Sequence, residues 1–182
     1  MTERIIIAGS GGQGIMLLGK VLAQTAMRED KFITWLPAYG PEVRGGAAHC
    51  MVIISDSEIG SPHINKADTL IIMNQPSLAK FKNRLKDNGL MVLNTSLAKE
   101  EVGCKIRLAQ GKFTDIAIEL GNIKVANIVA LGSYLANKRT LAVENILSTM
   151  KEMAPADKPE LLKVNQEALK KGMGLLSMRM KK

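Results

Sequence analysis

The sequence contains 182 residues, of which 46% are hydrophobic and 23% are charged. These values are those of one globular domain, so they exclude a fibre, a collagen-like repeat and a disordered chain, and we expect a single domain over residues 1–182. The formal net charge of +8 at pH 7 is interpreted first as solvated helix faces and a frayed basic tail, and the alternative is a patch that attracts an acidic protein or a phosphorylated ligand. Because aromatic residues make up only 3% of the chain, a nucleic-acid-binding surface is not expected.

Neither an export signal nor a membrane span is visible in the hydrophobicity pattern. The apolar run at residues 5–8 is far shorter than the hydrophobic region of a secretory signal. The other apolar runs end well before the roughly 20 residues that a bilayer requires. The sequence therefore predicts a cytoplasmic protein without a membrane partner.

In chain order, the first elements are a strand, a helix and a second strand. Residues 5–8 form a β-branched run that ends at glycine, which predicts a strand buried on both faces of a parallel sheet. Apolar residues then recur at helical spacing from residue 12 to about residue 27, and a second strand is predicted over residues 32–36. This order is typical of the crossover unit of doubly wound folds.

The rest of the chain divides into a strand-rich middle and a helical end. Further strands are predicted over residues 48–55, 69–73, 90–94 and 104–108, and a helix begins at Pro76 and continues to about residue 86, before Asp87, Asn88 and Gly89. The later helices are predicted over residues 113–120, 125–136, 143–150 and 159–178. The expected fold is α/β, with a Rossmann-like, mostly parallel sheet flanked by helices and a helical C-terminal part.

A glycine-rich turn follows the first strand. Its sequence GSGGQG matches the pattern GxGxxG between a strand and a helix, which is the context of the dinucleotide-binding fingerprint. A dinucleotide site also needs a carboxylate about 20 positions later, where this chain reads TWLP. A turn that serves packing or an interface is therefore the favoured interpretation. The candidate ligand-contacting residues are Gly9, Gly11, Gly12, Gln13 and Gly14.

A second candidate site is the segment that follows the second strand. It contains two prolines and three glycines between residues 37 and 46, so it is predicted to be a loop. Loops at the carboxyl ends of parallel strands are where open α/β sheets place ligands and partners. Arginine in such a loop offers a planar fork for a carboxylate or a phosphate. The candidate interface or ligand residues are Tyr39, Glu42, Arg44, Gly45 and Gly46.

The chain shows no constellation for catalysis or metal binding. Cys50 and Cys104 lie in separate segments without a CxxC spacing, and His49 beside Cys50 supplies too few ligands for a metal. Both cysteines are predicted to be buried small hydrophobes. No catalytic residue and no metal ligand is therefore assigned.

Several of these motifs, in this order, resemble one family. The chain reads IIIAGSGGQGI at its start, then YGPEVRGGAAHCMVIISD, IGSP at residues 59–62, an Ala-Asp pair at residues 67–68, and GNIKVANIVALGSYL from residue 121. Together they resemble the gamma subunit, or gamma domain, of thiamine-diphosphate-dependent 2-oxoacid:ferredoxin oxidoreductases. The segment YGPEVRGG is most similar to the 2-oxoglutarate branch.

This resemblance implies oxidative decarboxylation of a 2-oxoacid, here 2-oxoglutarate, to its acyl-CoA, with electrons passing through iron–sulfur clusters to ferredoxin. It implies alpha, beta and delta (ferredoxin-like) partner subunits. The assembled complex would hold thiamine diphosphate, Mg²⁺, [4Fe-4S] clusters and coenzyme A, and this chain alone would bind none of them. Its implied role, in anaerobic metabolism, is to complete the complex and shape the coenzyme A path. The alternative from the residues is a free-standing, Rossmann-like nucleotide-binding enzyme or regulator.

Overall fold

A computed structural model describes residues 1–38, 47–99, 106–154, 159–175 and 178–179. The strands are β1 (Thr2–Ser10), β2 (Phe32–Ala38), β3 (Ala47–Ser55), β4 (Ala67–Ile72), β5 (Leu85–Asn94), β6 (Arg107–Gly111) and β7 (Met178–Arg179). The helices are α1 (Ile15–Arg28), α2 (Gln75–Phe81), α3 (Phe113–Glu119), α4 (Ala126–Asn137), α5 (Val143–Met153) and α6 (Pro159–Met173). Short 3₁₀ helices follow α2 and precede α4.

The seven strands form one sheet in the order β2-β3-β1-β4-β5-β6-β7. β1, β4, β5 and β6 pair in parallel, whereas β3 is antiparallel to both of its neighbours and β7 is antiparallel to β6. Five strands, including β2, therefore run in one direction. The predicted α/β class with a mostly parallel sheet is confirmed, and the two reversed strands make the sheet a mixed one.

The first two strands of the chain are not adjacent in the sheet, although the sequence order of strand, helix and strand suggests that they are. β1 and β2 run in the same direction, but β3 lies between them and hydrogen-bonds to both. β3 is nearly fully buried, so its side chains do not alternate between polar and apolar residues. A strand buried on both faces gives no sequence signal for its direction, which is why this insertion was not predicted.

Two hydrophobic cores cover the two faces of the sheet. One face packs against α1 and α3–α6 through residues such as Ile5, Ile7 and Val92. The other face packs against α2 through residues such as Ile6, Ile72 and Leu93. Alternate residues of β1 thus face opposite cores, as the period of two in a strand requires.

Several boundaries differ from the predicted ones. The second helix was predicted to reach residue 86, but β5 already begins at Leu85, and residues 86–89 interrupt its pairing with β4, with Asn88 at a φ of 59°. The sixth predicted strand, over residues 104–108, is β6, whose described part runs from Arg107 to Gly111. The last helix ends at Met173 instead of residue 178, and Met178 pairs with Leu108 of β6.

Candidate functional site

The parallel strands end together at one edge of the sheet. The chain leaves β1 through α1 on one face and leaves β4 through α2 on the opposite face. Open α/β sheets form a crevice at such a point, and ligands bind there outside the carboxyl ends of the strands. We call this place the β1/β4 crevice, defined by the turn at residues 9–14 and by Asn74.

The glycines of the turn have three different surroundings. A Cβ on Gly9 would lie 2.7 Å from Ile15 Cδ1 and 2.9 Å from Met73 Cβ, so Gly9 is required for packing of β1 against its neighbours. Gly12 has a φ of 85° and open space beyond its Cα, whereas Gly14 has a φ of 70° and abuts Asn127. Gly11 and Gly12 are exposed and form the accessible part of the turn.

The Gln13 side chain closes the turn on itself. The backbone N–H of Ser10 donates to Gln13 Oε1 at 2.7 Å, and Gln13 Nε2 donates to the carbonyl of Met73 at 3.4 Å. The Ser10 amide is thus bonded within the protein rather than presented to a phosphate. β2 supplies no carboxylate near its end, and β3 separates it from β1. The described residues therefore lack the ribose-binding part of a dinucleotide site.

Asn74 joins the turn to the start of α2. Its Oδ1 accepts from the Ser77 amide at 3.0 Å, which caps the helix, and its Nδ2 donates to Ser10 Oγ at 2.5 Å. An asparagine just before a proline-containing first turn is a usual N-cap signal, and it could have been found in the sequence. Its bond to Ser10 could not, because 64 residues separate the two.

A buried amide organises the end of β5. Asn94 has no exposed surface; its Nδ2 donates to the carbonyl of Met73 at 3.2 Å and to Thr114 Oγ1 at 2.8 Å. Its Oδ1 accepts from the amides of Ser96 and Thr114, both at 3.3 Å. All of its hydrogen-bonding groups are satisfied, so Asn94 fixes the position of the strand ends rather than a ligand.

A cleft opens beside the crevice, between α2 and residues 95–99. Its volume is about 630 Å³, and its lining includes Thr95, Ser96 and the two lysines Lys82 and Lys99. Gln75 holds the cleft wall in place, because its Oε1 accepts from the Lys99 amide at 2.7 Å. The two ammonium groups give this edge of the sheet a positive charge.

Among the described residues, the crevice and the cleft beside it present groups that can bind polar molecules. Their polar side chains are amides, hydroxyls and lysines, and no group of three or more metal-ligating side chains occurs in the described ranges. His49 lies on β3 opposite Ala8, where its ring packs 4.8 Å from the ring of Phe81. The described residues do not fit an iron–sulfur cluster or a catalytic metal.

Cys50 is buried, as predicted, on the opposite face of β3. Burial raises the pKa of its thiol to about 12. A Cβ on Gly19 would lie 2.6 Å from Cys50 Sγ, so α1 rests directly on this thiol. Such a thiol is protonated at neutral pH and is not a nucleophile. Cys104 lies outside the described residues.

The second predicted site, Tyr39, Glu42, Arg44, Gly45 and Gly46, lies outside the described residues. The strands on either side of it are described. Ala38 of β2 pairs with His49, and Ala47 of β3 pairs with Ser10 of the glycine turn. Ala47, the first described residue after this segment, therefore lies next to the β1/β4 crevice.

Residues 4–175 match the profile of the family described as "Pyruvate ferredoxin/flavodoxin oxidoreductase". The chain belongs to this family, as its motifs suggested. It is 36% identical over 169 residues to ketoisovalerate oxidoreductase subunit VorA of Methanothermobacter thermautotrophicus, spanning 93% of this chain and 35% of VorA. It is 32% identical over 159 residues to 2-oxoglutarate synthase subunit KorC of Methanocaldococcus jannaschii, spanning 85% of each chain.

The fold agrees with this assignment. The gamma subunit of a keto/oxoacid ferredoxin oxidoreductase from Geobacter sulfurreducens superposes with a TM-score of 0.82 at 27% identity, covering 94% of this chain and 96% of that one. The chain spans only about a third of the length of VorA, so the matched region is one part of a longer protein there. No helix in the described ranges combines the length and apolarity needed to cross a bilayer.

Proposed function

We propose that this chain is the gamma-type component of a 2-oxoacid:ferredoxin oxidoreductase, which converts a 2-oxoacid and coenzyme A to acyl-CoA and carbon dioxide while reducing ferredoxin. The observation that carries the proposal is the β1/β4 crevice, whose described residues can hold polar groups but include no acid, base or nucleophile placed for catalysis. Family membership supports it, as do relatives named as subunits of ketoisovalerate oxidoreductase and 2-oxoglutarate synthase.

Within this assembly, the chain's own residues bind and position. The exposed Gly11 and Gly12 lie at one edge of the sheet, beside the cleft lined by Lys82 and Lys99. Ala38 and Ala47, the described residues on either side of the segment containing Arg44, pair with His49 and Ser10 at the same edge. We assign this edge to the coenzyme A path, since phosphate groups are bound by glycine-turn amides, arginine forks and ammonium groups. Tyr39, Glu42, Gly45 and Gly46 are proposed to contact the coenzyme or an adjoining subunit.

The chemistry itself is assigned to other components. Thiamine diphosphate with Mg²⁺ supplies the carbanion-stabilising chemistry of decarboxylation when bound, and [4Fe-4S] clusters carry the electrons. The described residues of this chain include no group of three or more metal-ligating side chains that could hold such a cluster. The proposed partners are alpha, beta and delta subunits in the cytoplasm of an anaerobically metabolising cell, with ferredoxin as the acceptor.

We propose that the 2-oxoacid is 2-oxoglutarate, because the segment YGPEVRGG at residues 39–46 resembles the 2-oxoglutarate branch of the family. The relatives at similar identity carry two different substrate names, since VorA at 36% is a ketoisovalerate enzyme subunit and KorC at 32% a 2-oxoglutarate enzyme subunit. A direct comparison of the two acids as substrates decides between them.

The experiment is reconstitution. The other subunits are purified with and without this chain, and reduction of ferredoxin is followed after addition of coenzyme A with either 2-oxoglutarate or 3-methyl-2-oxobutanoate. We expect the isolated chain to be colourless and inactive, and the complete mixture to be active with 2-oxoglutarate. Activity that does not depend on this chain, or iron–sulfur absorbance from the chain alone, would contradict the proposal. Preference for the branched acid would contradict only the substrate.

A further inference from the structure

An apolar cleft lies on the helical face of the sheet, away from the coenzyme A path. It has a volume of about 200 Å³ and is enclosed by α1, the segment before α4, α4 itself, α5 and α6. We call it the four-helix cleft. Its lining includes Leu17, Val21, Lys124, Asn127, Ile128, Met150, Met153, Leu161 and Asn165.

The rim of the four-helix cleft is unusually apolar for a surface. Leu17 of α1 is 47% exposed and Ile123, beside the lining residue Lys124, is 57% exposed. Large apolar side chains exposed next to an apolar recess mark an interaction site more often than scattered exposed ones do. The rim therefore indicates that another group covers this cleft.

A buried amide in the lining adds a polar requirement. Asn127 is 1% exposed, and its Nδ2 donates to the carbonyl of Gly14 at 3.1 Å, which fixes the orientation of the amide. Its Oδ1 is buried and has no donor among the described residues. A buried acceptor without a donor destabilises a protein, because it has lost its hydrogen bonds to water and gained none in their place. An occupant of the cleft that carries an N–H or O–H group would remove this cost.

The other lining groups favour an aromatic occupant. Met150 and Met153 present thioether groups, which make favourable contacts with aromatic rings. The exposed Lys124 stands at the same cleft, and an ammonium group is attracted to the face of a ring. Aromatic side chains that carry a donor are also the usual anchors of protein interfaces.

We propose that the four-helix cleft receives a tyrosine or tryptophan side chain from an adjoining subunit, with the O–H or N–H of that side chain donating to Asn127 Oδ1. The proposed source is an adjoining subunit, and the length of VorA supports it, because the matched part is only 35% of that chain and is joined there to further protein. The identity of the adjoining subunit rests on the proposed function. The chemistry of the cleft is argued from its lining residues and does not depend on the proposed function.

The cleft is tested first with fragments on the full chain. 4-Methylphenol reproduces a tyrosine side chain, and toluene is its matched control without the hydroxyl. In two-dimensional NMR titrations, 4-methylphenol is expected to shift the signals of Leu17, Met153 and the Asn127 side-chain amide, and to bind about fivefold more tightly than toluene. Equal affinities, or shifts confined to other surfaces, would overturn the proposal.

The interface is tested with a pair of variants on one helix. Leu17→Lys places a charge at the rim, whereas Met27→Lys changes a residue that is 64% exposed, ten positions and about 15 Å further along α1. In association measurements with the partner subunits, Leu17→Lys should weaken binding at least about tenfold and Met27→Lys less than about twofold, with melting temperatures checked for both. Unchanged association of folded Leu17→Lys would overturn the proposal. Should the wild-type chain bind no such subunits, the proposed function fails, and the fragment titration still decides the chemistry of the cleft.

Discussion

Replacing Gly172 with alanine is expected to force α6 away from α4. The two helices pack with almost no space between their backbones. A Cβ on Gly172 would lie 2.9 Å from the carbonyl carbon of Val129 and 3.0 Å from the amide nitrogen of Ser133, and closer still to the Val129 oxygen. All three are backbone atoms of α4, so no side-chain rotation can make room.

The magnitude follows from two opposing terms. Overpacking against a rigid neighbour costs about 3 kcal/mol, and the better helix propensity of alanine returns about 1 kcal/mol. We therefore expect the free energy of unfolding to fall by about 2 kcal/mol. For a chain of this size that lowers the melting temperature by about 4–8 °C. Moving α6 outward would also loosen Ala168 and Leu169, which are 0% and 2% exposed.

Thermal and urea unfolding, followed by circular dichroism, measure this loss. Gly174→Ala is the matched control, because a Cβ there meets only the Lys171 oxygen at an ordinary 3.4 Å. Its stability should stay within about 0.5 kcal/mol of the wild type. Gly132→Ala should behave like Gly172→Ala, since its Cβ would lie 2.9 Å from the Met173 amide nitrogen. If Gly172→Ala and Gly174→Ala unfold alike, the close α4–α6 packing is wrong.

Three further predictions concern the thiol, the loop and the turn. Because the pKa of Cys50 is about 12 in the fold against 9.0 for an ordinary thiol, the unfolded chain loses this proton first, and stability falls as pH rises from about 9 to about 12. Urea unfolding at pH 8 and 10.5 should show an extra loss of about 2 kcal/mol in the wild type relative to Cys50→Ala, and equal losses would contradict the raised pKa. Arg44→Ala should leave the chain folded but weaken assembly, or raise the apparent KM for coenzyme A, about thirtyfold. The control Arg139→Ala, at an exposed residue, should change neither. Wild-type values for Arg44→Ala would show that the loop only connects two strands. Calorimetric titration with NAD or NADP should detect no binding, and a micromolar Kd, equivalent to about 8 kcal/mol, would restore the nucleotide-binding alternative.

The sequence by itself determined the local elements. Residues 5–8 predicted β1, the glycines after them predicted the turn, and apolar spacing predicted α1, because each of these signals acts within a few residues of the chain. The same locality explains the motif-based recognition of the family, since the matching segments lie in order along the sequence. The absence of cluster-binding cysteines was likewise a matter of counting and spacing.

The tertiary structure alone decided which elements are neighbours. β3 enters between β1 and β2, and Met178 pairs with β6 although the last helix was predicted to include it. Neither result could be predicted locally, because strand pairing joins residues far apart in sequence and a buried strand carries no mark of its direction. The bond from Asn127 to Gly14 spans 113 residues. This bond holds the buried Asn127 amide in the lining of the four-helix cleft. No local pattern predicts that burial, because the burial of a polar group depends on what packs around it.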